Sequence, residues 1–154
     1  AGLMTVLALG GGAGIQIVGK LVDTRESARA SVVAMAIITV GVAIGAVAAS
    51  DLNIWIGILS AMLMGMGYGL ALVAGLSEVQ RIAQADDLAG LTAVYYSVAY
   101  LGFFIPMAFA ALNARFSYTV LFSVGTVLAL ACLIAVTTAW RAHLPGVRHI
   151  AVAA

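Results

Sequence analysis

Thr92, Tyr96 and Tyr100 recur four residues apart, and Phe103 or Phe104 continues the series. On a helix this spacing makes one stripe of rings and hydroxyls. Phenol rings bind a solute by stacking, by cation–π attraction and by hydroxyl hydrogen bonds. The same stripe serves equally as aromatic packing inside a bundle. Ser60 and Tyr68, in the preceding apolar stretch, are candidates for the same chemistry, although the glycines around them also suit close helix packing. Gln16 is the one amide well inside an apolar run, since Asn53 and Asn113 stand at run ends. An unpaired buried amide costs roughly 1 to 3 kcal/mol, so Gln16 needs either a neighbouring helix or a bound solute.

A second group is charged. Asp23, Arg25, Arg29, Glu78 and Arg81, with Gly19 just before them, stand at the ends of apolar runs on what the charge pattern makes the cytoplasmic side. Opposite charges there can latch two helices in one conformational state and part in another. The plainer alternative is a solvated loop, in which exposed pairs contribute about 0 to 1 kcal/mol. No Asp, Glu, Lys, Arg or His lies well inside an apolar run. Intramembrane ionisable groups are the usual marks of proton relays and ion pathways, so any proton coupling is expected to reside outside this sequence.

Covalent chemistry has little to work with. There is no G-x-S-x-G, no H-E-x-x-H and no histidine in an apolar run, so the expectation is a non-enzyme without cofactor or metal. His143 and His149 lie in the tail and read as solvated, and Cys132 reads as a small hydrophobe.

The elements that must position these residues are five charge-free stretches at 1–19, 30–50, 52–77, 88–114 and 116–140. Each is long enough to cross a hydrocarbon core of roughly 30 Å as a helix, which takes about 20 residues. Lipid offers no partner to a bare peptide group, and unbroken runs without period-two alternation select helices over a barrel. The chain is 64% hydrophobic and 8% charged, against roughly 25% charged for a soluble domain. An all-α polytopic bundle follows, with spans near 1–21, 29–49, 53–75, 89–112 and 117–139 and a tail at 141–154. The net charge of +1, without a basic run, argues against nucleic acid as a partner.

Sorting the basic residues by alternate loops puts six of the seven on one side, with only Arg115 opposite. Lys and Arg gather on the cytoplasmic face, which predicts a cytoplasmic C-terminus and an outer Asp51. Trp55, Tyr118 and Trp140 fall near span ends, where amphipathic rings settle. Residue 1 is Ala, at the edge of an apolar run, and the expectation is that the natural chain continues upstream.

Polarity is uneven among the helices. Helix one carries Gly10 and Gly14, a small-xxx-small pair expected to admit a close neighbour. Helix two is nearly all Ala, Val, Ile and Gly and is expected to face lipid. Helix three repeats small residues at Gly57, Ala61, Gly65 and Gly69, with Met62, Met64 and Met66 as an adaptable surface. Pro106 lacks a backbone donor and crowds the carbonyl of Gly102, predicting a kink there. Helix five is bland, with Ser123 and Thr126 bonding to the preceding turn. Helices one, three and four are thus expected to share an interior, with two and five outside.

The first loop, Gly19-Lys20-Leu21-Val22-Asp23-Thr24-Arg25-Glu26-Ser27-Ala28-Arg29, resembles the G-x-L-x-D-R-x-G-R-[RK] signature of the major facilitator superfamily. Gly19, Leu21 and Asp23 match, and Arg25 and Arg29 keep basic charge nearby. Residues 81–112 look like the cytoplasmic approach and eleventh helix of bacterial permeases of that superfamily, with Tyr100-Leu101-Gly102-Phe103-Phe104-Ile105-Pro106 as the aromatic run. The resemblance implies helices eight to twelve of a twelve-helix transporter in the bacterial inner membrane. Its partners would be a small organic substrate, the lipid bilayer and the missing N-terminal half. In that family the eighth, tenth and eleventh helices line the cavity, the division that composition also suggests. Efflux of an amphipathic compound is one expectation. A non-catalytic subunit of a multi-component permease is the other reading.

Overall fold

The structure is a computed structural model that describes residues 2, 6, 8–15, 29–84 and 86–142. Among these the backbone is helical, with no strand. Helical turns at residues 8–15 (α1) are followed by α2 (Arg29–Asp51), α3 (Ile54–Ile82), α4 (Leu88–Leu101), α5 (Phe104–Leu112) and α6 (Tyr118–Ala142). Four spans are long and apolar enough to cross a membrane, α4 and α5 counting together as one of 25 residues. The chain therefore has the make-up of a multi-pass, all-α membrane protein.

The limits of α2 fall at Arg29 and Asp51 and α4 starts just after Asp87, but α3 does not stop at a charge. α3 runs on past its expected end near residue 75, and its 29 residues make a rod of about 43 Å. That exceeds a hydrocarbon core of roughly 30 Å, so the last turns, with Glu78 and Arg81, extend beyond it. The reversal between α2 and α3 is made by two residues. Leu52 adopts a left-handed φ of 50°, and Asn53 Oδ1 accepts a hydrogen bond from Trp55 N at 2.9 Å to cap α3.

The kink expected near Pro106 is a break between α4 and α5 at Gly102–Phe103. Without an N–H from Pro106, the Gly102 carbonyl accepts from Ile105 N at 3.1 Å, and Gly102 N and Phe103 N bond three residues back to Ala99 and Tyr100. One turn is tightened in this way.

Packing among the helices departs from the expected inner and outer layers. α2 has Ala30, Ala34, Gly41, Val42 and Gly45 buried, lying between α3 and α6. Ala30 and Ala34 form a core cluster with Leu70 and Ala74 of α3. A Cβ at Gly67 of α3 would come within 2.6 Å of Ile38 Cγ1, and one at Gly125 of α6 within 3.3 Å of Val42 Cγ1. Between its polar ends, Arg29, Ser50 and Asp51, the exposed residues of α2 are the stripe Val33, Val40 and Val47. Helix two was expected to face lipid because it lacks polar groups. Lipid and a neighbouring helix are equally apolar, however, and its small residues are what bring it inside.

α1 rests on α3 with backbones almost touching. A Cβ at Gly12 would meet Gly65 O at 2.9 Å, and one at Gly65 or Gly69 would run into the backbone of Ala8 or Gly12. The close approach thus uses Gly12, while Gly10 and Gly14, the pair singled out by spacing, have open space around them. By contrast α4 and α5 bury no residue at all.

Candidate functional site

The aromatic part of the stripe expected on helix four forms and α3 completes it, whereas Thr92 lies on the half-buried side. The rings of Tyr96 and Tyr100 lie 6.3 Å apart at 29°, and those of Tyr100 and Phe103 lie 6.1 Å apart at 28°. Tyr68 of α3 meets Phe103 edge-on at 6.3 Å and 70°. Three of the five candidate binding residues, Tyr68, Tyr96 and Tyr100, are thereby brought into one row with Phe103. The row is open, with Tyr100 62% and Phe103 63% exposed.

Its hydroxyls differ from those of the serines and threonines on the spans. Thr39, Ser97, Ser123 and Thr126 each donate to the carbonyl four residues back, at 2.7 to 2.8 Å. A short side chain can fold onto its own helix in this way. A phenol cannot, because its hydroxyl stands at the far end of a rigid ring. The hydroxyls of Tyr68, Tyr96 and Tyr100 have no hydrogen-bond partner among the described residues. Within a hydrocarbon layer a bare hydroxyl is costly, so this face suits water, a solute or a polar helix better than acyl chains.

The remaining candidates lie elsewhere. Ser60 is 4% exposed and donates to Gly41 O of α2 at 2.8 Å, so its hydroxyl is engaged in the α2–α3 seam and not in the ring row. Met64 and Met66 also fill seams, against Gly41 and Gly11. Glu78 and Arg81 pair with each other three residues apart on α3, Arg81 Nε donating to Glu78 Oε2 at 3.1 Å. The pair therefore joins one turn of one helix, without spanning two helices. Arg29 is exposed at the start of α2. Gln16, Gly19, Asp23 and Arg25 lie outside the described residues. Among the described residues no group of His, Cys, Asp or Glu is arranged to hold a metal ion.

Spacing gave no prominence to Tyr95. Its hydroxyl donates to Leu72 O of α3 at 2.9 Å, with Ala71 O at 3.4 Å. Its ring covers Gly75, where a Cβ would lie 2.7 Å from Cε2. The half-buried residues of α4 are Thr92, Tyr95 and Ala99, spaced three and four, which marks the stripe facing α3. The available signal was a small-residue neighbour set around one member of an adjacent tyrosine pair. Family models, curated proteins and solved structures were all compared with the chain, and none matches it.

Proposed function

We propose that this chain is the carboxyl-terminal part of a secondary transporter of the major facilitator type, moving a small organic solute by alternating access. The observation that carries the reading is the open row of Tyr68, Tyr96, Tyr100 and Phe103. It sets phenol hydroxyls without a partner among the described residues on an apolar span, whereas the middle of the outward face of α6 is mainly aliphatic, with Val124, Val127, Leu128 and Ile134. A solute in such a row is held by ring faces and by hydroxyls that both donate and accept. With no ionised side chain in the described hydrocarbon segments, binding depends on shape and weak polar contacts, which suits an amphipathic cargo and an efflux direction. Rocking of this part against an N-terminal half would expose the row to each side in turn. The setting is the bacterial inner membrane with a cytoplasmic C-terminus, and the step needs neither cofactor nor covalent chemistry.

The test is solute flux by the full-length protein in liposomes, with and without a pH gradient. Flux above protein-free vesicles, cut about tenfold or more by Tyr100→Ala, is the expected result. A protein that is folded and inserted yet moves no solute sinks the reading. It would leave the non-catalytic subunit of a larger permease in its place.

A further inference from the structure

We infer that Tyr95 is a positioning residue, a pin that fixes how far α4 is rotated and advanced along α3 and so keeps Tyr96, Tyr100 and Phe103 in line with Tyr68. The inference rests on the ring row as a binding face, but its geometry stands independently. α4 buries no residue, so tight packing does not set its rotation. The described polar side-chain bond from α4 to another helix is that of the Tyr95 hydroxyl, to Leu72 O at 2.9 Å.

The ring that carries this hydroxyl fits the notch left by Gly75. Notch and carbonyl together specify both a depth and a direction. Tyr96, the next residue, is turned about 100° further around the helix and meets the Tyr95 ring edge-on at 5.5 Å and 66°. Tyr95 therefore faces α3 while Tyr96 faces outward. On α3, Tyr68 lies one turn from Leu72, and the antiparallel course of α4 brings Phe103, in the break that follows α4, to Tyr68 about two turns beyond Tyr95. A slip at the pin thus moves Tyr100, and through the ring stacked on it reaches the Tyr68–Phe103 contact. In hydrocarbon no water replaces the lost bond, so the phenol has reason to stay seated on the α3 carbonyls.

The test uses the full-length protein in membrane vesicles with Cys132→Ala as background and the pair Tyr68→Cys and Phe103→Cys, joined by thiol cross-linkers of increasing length. Tyr95→Phe keeps the ring and removes only the hydroxyl. Gly75→Ala keeps the hydroxyl and fills the notch. Each is expected to slow cross-linking by the shortest effective reagent about fivefold, while longer reagents still join the pair. In the protein without the cysteine pair, Tyr95→Phe should raise the half-saturating solute concentration and leave the maximal rate within about twofold. A general folding defect would not produce that split. Unchanged cross-linking in both variants overturns the pin. Slowed cross-linking in a protein that carries no solute upholds the pin and sinks the transport reading, so the two failures are distinguishable.

Discussion

α4 and α6 both turn long faces outward, and the two faces are built on different rules. On α6, beyond Tyr118 at its start, the outward residues include Val124, Val127, Leu128 and Ile134, and Ser123, Thr126 and Thr138 return their hydroxyls to carbonyls of the same helix. On α4 the outward residues include Tyr96 and Tyr100, whose hydroxyls cannot be returned in that way. Exposure alone does not distinguish a lipid-facing helix from one facing a polar space. The ability of each hydroxyl to satisfy itself locally does. A parallel contrast holds for packing: α1, α2, α3 and α6 are joined through glycine and alanine, whereas α4 is held to α3 through one tyrosine.

The largest expected effect breaks the packing side of this contrast. Gly69→Val places a side chain on the Gly12 backbone and should destabilise the protein by about 3 kcal/mol, read as a lowered melting temperature in detergent. Gly90→Ala in α4, with open space around it, should instead leave stability unchanged or raise it by about 0.5 to 1 kcal/mol. Equal losses at both sites would remove the distinction between tight and loose regions.

Labelling sharpens the surface side. Tyr100→Cys is expected to react about tenfold faster with a water-borne thiol reagent than Val127→Cys, and Val127→Cys faster with a lipid-soluble one. Equal labelling of the two by the lipid-soluble reagent would make α4 an ordinary acyl-facing helix. Ser60→Ala should cost about 1 kcal/mol, since it deletes the buried bond to Gly41 O. Ser123→Ala, whose bond is local and exposed, should change unfolding by less than about 0.5 kcal/mol. Leu52→Gly relieves the left-handed backbone in the α2–α3 reversal and should stabilise by about 0.5 to 1 kcal/mol in the same unfolding measurement.

The four long spans of the described residues were legible because charge is so costly in lipid that Arg29, Asp51, Asp87 and Arg115 punctuate the chain; the span expected near 1–21 lies largely outside those residues, and the overrun of α3 past residue 75 was not legible. The break at Gly102 was legible because Pro106 has no donor to give its carbonyl. The row of Tyr96, Tyr100 and Phe103 was legible from helical spacing. Which apolar face meets lipid was not: in water the contrast between core and solvent writes a period into the sequence, and in a bilayer that contrast is absent. Helix two was misplaced for that reason, and Gly10 and Gly14 were preferred over Gly12. Tyr95 was hidden because its role depends on Gly75 of another helix, a pairing that the linear sequence does not display.

The interruption at Gly102–Phe103 separates two stretches that are fastened to different neighbours. Below it, Tyr95 ties α4 to α3; above it, Phe109 of α5 sets its ring against Phe122 of α6 at 5.6 Å and 88°. A span divided like this behaves as a jointed limb with its two segments on separate shoulders. Tilting of α6 carries the upper segment along and is absorbed at the elbow, leaving the lower rings where they stand.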